Sequence, residues 1–203
     1  MRGGTGTRLS RTVRCAVACS LSAAAAASAE PVTYRLDPAH SAVHFEVLHF
    51  GTSTSRGRFA AITGVVTLDR TQHAGDIGLR IDTARVSTGL PVFDARLREP
   101  DLLSSAEYPD AWFVARDFRF DGDALREVRG ELTLRGVSRG LTLKALRFDC
   151  RATTSPDGER CGGDFDAHLL RSDYGMSYGL PLVGDDIHLH VEVEAVREAA
   201  TAH

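Results

Sequence analysis

Apolar and polar residues alternate along most of this chain, which is the pattern of β-strands with one buried face. In residues 187–194, four aliphatic residues alternate with two histidines and two glutamates. Residues 41–50 alternate in the same way, with Phe45 and Val47 on one side and His44 on the other. Seven further segments of the chain have strand character, and we predict a strand at each of them.

The only helical pattern lies in residues 91–109, which Pro91, Pro100 and Pro109 bound and divide. Proline is favoured at the first helical position and ends a helix elsewhere, so we predict one or two short helices there. Many short strands with one helical excursion are typical of a sandwich or a closed barrel. One apolar and one charged face on nearly every strand favours an antiparallel sheet. The predicted fold is all-β, an antiparallel β-barrel of about eight strands. Closure of the sheet removes its unpaired edges, and a barrel of this size has room for one small ligand.

The first 29 residues have the three parts of a secretory signal peptide. Residues 1–14 carry four arginines and no acid, residues 15–27 are small and mostly apolar, and the segment ends in Ala-Ser-Ala. The apolar run is too short for a membrane span, and a disordered tail is the alternative. We therefore predict cleavage near Ala29, a single mature domain over residues 30–203, and a periplasmic or secreted location.

The charge of the mature chain argues against nucleic acid as a partner. Cleavage of the predicted signal peptide leaves 20 basic and 27 acidic residues, a net charge of −7. A nucleic-acid-binding domain presents a basic patch or stripe. This composition does not supply one, so nucleic acid is excluded from the predicted partners.

Two cysteines remain after cleavage, because Cys15 and Cys19 fall within the predicted signal peptide. Ten residues separate Cys150 from Cys161, and Pro156 is part of a polar stretch with the character of a turn. Two strands that meet across this turn bring the sulfur atoms together. In an oxidising compartment such a pair forms a disulfide, so we predict the bond Cys150–Cys161.

Three histidines in residues 36–51 raise the question of a metal site. A strand rises about 3.3 Å per residue, so His40 lies roughly 13 Å from His44, and His44 roughly 16 Å from His49. His44 and His49 also face opposite sides of a regular strand. Zinc ligands each lie within about 2.1 Å of the ion. This segment alone therefore cannot form a metal site.

His188 and His190 are a better pair, because their i, i+2 spacing puts both on one face of a strand. That face is polar, which is typical of a solvated outer surface. The alternative hypothesis is a metal-dependent or acid/base enzyme that uses this pair with a carboxylate, or with His44 from a neighbouring strand. The chain has no H-E-x-x-H or C-x-x-C motif and no glycine-rich phosphate loop. The sequence therefore predicts no catalytic residue, no metal and no cofactor.

Four segments carry a further signal, and they span nearly the whole mature chain: YRLDPAHSAVHFEVLHFGTSTSRGRF, LLSSAEYPDAWFVA, GELTLRGVSRGLTL and RSDYGMSYGLPLVGDDIHLHVEVEA. In this order they resemble the YceI-like family of secreted bacterial polyisoprenoid-binding proteins. The resemblance implies an antiparallel lipocalin-like barrel with helical elements near one end. It also implies a long apolar cavity for an isoprenoid chain, such as a quinone tail. One departure is Arg96, which stands where many members have histidine.

The resemblance assigns the apolar sides of the strands to ligand binding, because each CH₂ buried against them contributes about 0.8 kcal/mol. Met176 is predicted to be an adaptable part of the same wall. The strand residues predicted by parity to line the cavity are Phe45, Val47, Leu79, Ile81, Trp112, Val114, Leu132, Leu134, Leu141, Leu143, Ile187 and Leu189.

Other roles are predicted near the open end of the barrel. Phe93, Leu97 and Leu102 are predicted to form an amphipathic lid, and Arg171 and Asp173 to form an internal ion pair or to meet a polar head group. The predicted function is a binding or carrier protein for a long-chain isoprenoid lipid, with transient membrane contact and a homodimer as open questions. A packed barrel that acts only through its surface, for example on a membrane electron-transfer partner, is the remaining alternative.

Overall fold

The structure is a computed structural model that describes residues 1, 3–4, 30–154 and 158–199. The predicted signal peptide lies outside the described residues except for Met1, Gly3 and Gly4. Pro156, in the predicted turn between the cysteines, also lies outside them.

The described residues form eleven strands and one α-helix, α1 (Pro91–Leu97), with 3₁₀ turns at Thr83–Arg85 and Arg171–Tyr174. The strands in chain order are β1 (Val32–Leu36), β2 (Ala42–His49), β3 (Ser53–Ala60), β4 (Thr63–Asp69), β5 (Ala74–Asp82), β6 (Val86–Ser87), β7 (Asp110–Asp121), β8 (Ala124–Leu134), β9 (Val137–Ala152), β10 (Glu159–Leu170) and β11 (Val183–Arg197).

Eight antiparallel strands close into a barrel, which confirms the predicted fold. Their order is β1-β4-β5-β7-β8-β9-β10-β11, and β1 pairs back onto β11 with Leu36 opposite Ala195. The other half of β11 pairs with β2, where His49 lies opposite Val183. β3 and the short β6 extend the sheet beyond β2. One long strand, β11, therefore runs from the end of the barrel at which β2 finishes to the end at which β1 pairs with it.

Residues 57–70 are one of the segments with strand character, with Gly57 and Gly64 as candidate bulges or bends, but the structure divides this segment between β3 and β4. Ala61 has a φ of +57°, in the left-handed region, and Ile62 is buried beneath the break. A non-glycine residue in this conformation ends the extended run. The two strands then pair with different partners, β3 with β2 and β4 with β1 and β5.

Residues 91–109 contain one short α-helix rather than two. Pro91 occupies the start of α1, where its missing N–H costs nothing. Turns follow from residue 99 to residue 107, because Pro100 stops the helical hydrogen bonding. No helix among the described residues is long and apolar enough to cross a membrane.

Strand β7 has the opposite parity to the one predicted. Ala111, Phe113 and Ala115 face the core, while Trp112 is 45% exposed and Val114 50% exposed on the outer surface. The interior position predicted for Trp112 and Val114 is therefore wrong. Both parities of this strand are apolar, so alternation alone could not choose between them. The pairing with β5 decides the orientation, because it sets Phe113 opposite the inward-facing Leu79.

The end of the barrel that contains β1 is closed by cross-links. Cys150 and Cys161 lie directly opposite each other on β9 and β10 and form the predicted disulfide. The Tyr34 hydroxyl donates a hydrogen bond of 2.8 Å to Glu159 Oε2 at the start of β10. Burial, followed by this bond to a carboxylate, raises the pKa of Tyr34 to about 12. Arg160 donates to Asp37 Oδ2 at 3.0 Å and so connects β10 to the β1–β2 turn.

Candidate ligand-binding cavity

The barrel interior contains an apolar cavity of about 310 Å³. Its walls come from β2, β3, β5, β7, β8, β9, β10 and β11, and α1 and the segment that follows it contribute at one end. Ligand pockets begin at about 300 Å³, so the interior is a binding-sized cavity rather than a fully packed core. This observation counts against the packed-barrel alternative.

Most of the predicted site residues line this cavity. Those that line it are Phe45, Val47, Leu79, Ile81, Phe93, Leu97, Leu102, Leu132, Leu134, Leu141, Leu143, Arg171, Met176, Ile187 and Leu189. Three predicted residues lie elsewhere. Trp112 and Val114 point outwards from β7, and Asp173 is exposed beside a separate surface depression.

Several lining residues were not among the predicted ligand contacts. Ala111 and Phe113 replace the two misassigned residues of β7, and their shared parity with Ala115 was the available signal. Tyr178 comes from the irregular segment before β11, where no periodicity marks an inward side, and Val183 is the first residue of β11. Only the folded arrangement of this region brings them to the cavity.

Polar groups are concentrated at one end of the cavity, which we call the mouth. His49, Arg96 and Tyr178 line the cavity there, at the end where β2 finishes and β11 begins. Thr83 follows β5 at the same end, and its hydroxyl donates to the backbone oxygen atoms of Tyr108 and Pro109 at 2.8 and 3.0 Å. The cavity therefore has an apolar body and a polar mouth.

Arg171 organises one side of the mouth, and the predicted ion pair with Asp173 is wrong. The Arg171 side chain is 5% exposed and donates to backbone oxygens of Met176, Tyr178, Val183 and Gly184 at 2.7–2.9 Å. Burial lowers the pKa of its guanidinium, and the nearby Asp185 opposes that shift.

Asp185, rather than Asp173, is the carboxylate whose hydrogen bonds stabilise this region. It accepts hydrogen bonds from the Ser172 backbone N–H at 2.8 Å and from the Ser172 hydroxyl at 2.6 Å. The hydroxyl bond is the main reason why the pKa of Asp185 lies below its usual value. Arg171 and Asp185 thus hold residues 171–185 in one shape, and their role is to position the mouth.

Helix α1 covers the other side of the mouth. Phe93 and Leu97 face the cavity, and the Arg96 guanidinium lies over the Tyr178 ring at 4.3 Å from the ring centroid. Arg96 also forms two parallel hydrogen bonds of 2.7 Å to the carboxylate of Asp101. These bonds lower the pKa of Asp101. Arg96 therefore links the predicted lid to the segment that Arg171 holds.

His188 and His190 lie outside this cavity. They occupy the outer face of β11, alternating with the cavity-lining Ile187, Leu189 and Val191. An enzyme active site built on this pair would therefore be separate from the cavity, on the opposite side of the barrel wall.

A closed antiparallel barrel around an apolar cavity with a polar mouth is the architecture of the lipocalin-like β-barrels, whose interior holds one small ligand. The matches to known proteins agree with this class. Residues 34–195 match the family model described as a YceI-like domain, and the chain therefore belongs to the YceI-like family.

Individual relatives agree in sequence and fold. Protein YceI of Escherichia coli O157:H7 is 31% identical over 176 residues, which cover 85% of this chain and 91% of the relative. The crystal structure of a Campylobacter jejuni YceI protein is 26% identical and matches 75% of this chain and 90% of its own with a TM-score of 0.62. A polyisoprenoid binding domain from Saccharophagus degradans, 19% identical, matches 82% of this chain and 99% of its own with a TM-score of 0.60 and supports the fold.

Proposed function

We propose that this protein is a periplasmic or secreted binding protein, and not an enzyme, that holds a polyisoprenoid lipid inside its barrel. A quinone with a prenyl tail, or a prenol, is the ligand class that we favour. The observation that carries the proposal is the apolar cavity with its polar groups collected at one end. The similarity to a domain described as polyisoprenoid binding supports the same ligand class.

The energetics favour a chain-like ligand. Each buried CH₂ contributes about 0.8 kcal/mol, so a prenyl tail binds through its area without a specific polar partner. Part of this gain is offset by the lost freedom of the ligand. Because the walls are already held by the barrel hydrogen bonds, little ordering of the protein opposes binding.

The mouth suits a small polar head group. Arg96 has donors only, and Tyr178 and His49 can each donate or accept a hydrogen bond. A quinone carbonyl or a prenol hydroxyl at the mouth would find a partner there while its tail fills the apolar body. We therefore propose that the head group of the ligand lies between α1 and the segment held by Arg171.

Apolar side chains exposed around the mouth support transient contact with a membrane. Phe50 and Leu182 are both more than half exposed, and the Phe50 N–H donates to the Leu182 carbonyl oxygen at 2.7 Å. Leu90 and Val92, at the start of α1, are also exposed. A water-insoluble lipid is best exchanged where such side chains enter a bilayer surface. Flotation of the protein with vesicles of phosphatidylethanolamine and phosphatidylglycerol tests this contact. We expect the double variant Phe50→Ser/Val92→Ser to float less than the wild type.

A disulfide between Cys150 and Cys161 is typical of an oxidising compartment. We therefore propose export followed by cleavage near Ala29. Amino-terminal sequencing of the protein recovered from the periplasm or medium of its producing cells tests the cleavage site.

The ligand proposal is tested by extraction and by a matched pair of variants. The mature chain, purified without a polyhistidine tag, is extracted with organic solvent and analysed by mass spectrometry, and we expect an isoprenoid lipid. Ala111→Phe places a bulky side chain in the cavity, whereas Val114→Phe places it on the outer face of the same strand. We expect Ala111→Phe to lose most of the lipid and Val114→Phe to retain it.

Circular dichroism establishes that both variants are folded before their lipid contents are compared. The proposal fails if the wild-type extract holds no lipid and neither added farnesol nor a short-chain ubiquinone binds. It also fails if the two variants retain equal amounts of lipid.

A further inference from the structure

Four of the eight histidines of the chain share one patch on the outer face of the barrel. The patch spans three neighbouring strands, with β11 in the middle. In one row of the sheet, His188 lies opposite Glu46 of β2 and opposite His168 of β10. In the next outward-facing row, His190 lies opposite His44 of β2 and Asp166 of β10. Cross-strand neighbours on one face are close enough for their side chains to touch.

The side chains of this patch are in contact with one another. The rings of His188 and His190 have centroids 4.0 Å apart, and those of His168 and His188 are stacked at 4.3 Å. One oxygen of Asp166, Oδ1, lies 2.6 Å from His188 Nε2 and 3.2 Å from His190 Nδ1. Ring nitrogens of two histidines thus converge on a single carboxylate oxygen.

Two overlapping triads in this patch have donor atoms that all lie within 4.8 Å of one another. One consists of Glu46, His188 and His190, and the other of Asp166, His168 and His188. Around a tetrahedral zinc ion, with bonds of about 2.0–2.1 Å, donor atoms lie roughly 3.3–3.5 Å apart. Small side-chain rotations therefore suffice to bring either triad around an ion.

The first triad is the better ligand set, because His168 is already engaged. Its Nδ1 lies 3.0–3.1 Å from both carboxylate oxygens of Asp186. Glu46 accepts a hydrogen bond of 2.7 Å from Arg56 Nε at Oε1, which leaves Oε2 to serve as a ligand. Asp166, at its present distance from both rings, supplies either the fourth ligand or the acceptor that orients the imidazoles.

A third group of three potential ligands, near the closed end of the barrel, is a weaker candidate. It contains Asp37, His40 and Glu194 and offers only one imidazole. Arg160 Nη1 already lies 3.0 Å from carboxylate oxygens of both Asp37 and Glu194. Because Arg160 already occupies both carboxylates of this group, whereas Arg56 contacts only one oxygen of Glu46, we do not assign a metal to it.

We propose that the outer-face patch binds one divalent transition-metal ion of the kind that prefers imidazole, with zinc as the representative, through His188, His190 and Glu46. Two imidazoles with carboxylates on both sides suit zinc, copper or nickel, and disfavour magnesium, which takes oxygen ligands. The site goes beyond the proposed lipid binding, because its residues are on the other side of the barrel wall from the cavity.

The test uses the mature chain without a polyhistidine tag, stripped with a chelator and titrated with zinc chloride by calorimetry. We expect a stoichiometry of one zinc per chain and no comparable binding of magnesium. His188→Ala and His190→Ala should each weaken zinc binding by about tenfold or more, the size of effect that loss of even an outer-shell partner can produce. His168→Ala and the control His73→Ala should stay within about twofold of wild type, since His73 lies near Asp123, outside the patch.

Two results would overturn the proposal. The first is zinc binding by the wild type that is no tighter than binding by the His188→Ala/His190→Ala double variant. The second is loss of binding in His168→Ala with retention in His190→Ala, because this would assign the ion to the other triad. The substituted side chains face outwards, so each variant should retain its lipid content. A protein that holds no lipid but still binds zinc through these residues would contradict the proposed lipid binding and support the metal site.

Discussion

The guanidinium of Arg96 lies over the ring of Tyr178, 4.3 Å from its centroid, at the mouth of the cavity. Arg96 belongs to α1, and Tyr178 belongs to the segment that Arg171 holds in place. The contact therefore joins the two elements that border the mouth, and a ligand that leaves the cavity through this end has to pass it.

We expect Tyr178→Leu to release bound lipid faster. A cation–π contact at an accessible site contributes about 0.5–1 kcal/mol, so its loss should raise the dissociation rate about two- to fivefold. Transfer of a fluorescent prenyl analogue to acceptor vesicles measures this rate. Arg98→Ala is the control, since Arg98 does not line the cavity and its Nη1 only approaches the Ala84 carbonyl oxygen at 3.4 Å. An equal acceleration in both variants would contradict a role for the contact.

Arg171→Met should be strongly destabilising. It removes a buried cation that donates to four backbone carbonyl oxygens, and leaves those oxygens without their partner. We expect a loss of about 2–4 kcal/mol in the free energy of unfolding, measured by urea denaturation. The exposed Arg126, which pairs with Asp121 at 3.1 Å, offers Arg126→Met as a control with a loss below about 1 kcal/mol. Comparable losses would show that Arg171 does not hold the mouth.

Removal of the disulfide should lower stability without changing the cavity. Cys150 and Cys161 lie at the closed end of the barrel and do not line the cavity. For a loop this short, the double variant Cys150→Ser/Cys161→Ser should lose about 2–3 kcal/mol. Its lipid content should match that of the wild type in organic extracts. A variant that folds fully but no longer binds lipid would contradict the separation of the two ends.

The single tryptophan should report on the outer surface and not on the ligand. Trp112 is 45% exposed and faces away from the cavity. We therefore expect acrylamide to quench its fluorescence equally in lipid-loaded and delipidated protein, with little shift in the emission maximum. A large blue shift on loading would mean that Trp112 faces the ligand, as parity alone had predicted.

Acid should weaken the closed end of the barrel through Asp37. Hydrogen bonds from His40 and then Arg160 lower the pKa of Asp37 to about 2, from an ordinary value of 3.8. A carboxylate whose pKa is lowered by folding contributes stability above its unfolded pKa and loses that contribution as the pH falls towards its folded pKa. The contribution should therefore be complete near neutrality and disappear between about pH 4 and pH 2.

Asp37→Asn tests this expectation through the unfolding temperature as a function of pH. The variant should be less stable than wild type at pH 7, and the difference should shrink as the pH falls through that window. Asp121→Asn, on the exposed surface, is the control and should follow the wild-type curve. A constant difference between Asp37→Asn and wild type at every pH would contradict the assignment.

The sequence by itself determined the all-β class, the inner faces of most strands and the pairing of the two cysteines. These features depend on local alternation and short spacing, which a single strand or turn expresses without help from the rest of the chain. Ile187 and Leu189 could be assigned to the cavity side because their neighbours on β11 are charged or polar. The same reasoning failed on β7, where Trp112 and Phe113 are both apolar.

Only the tertiary structure decided the features that depend on register between strands distant in sequence. The orientation of Trp112 followed from the pairing of β7 with β5, and the partners of Arg171 are backbone oxygens whose positions no side-chain pattern encodes. Likewise, the patch around His188 exists because β2, β10 and β11 align Glu46 and His168 on either side of it. Alternation states which residues share a face of one strand, but hydrogen bonds between strands decide which faces meet.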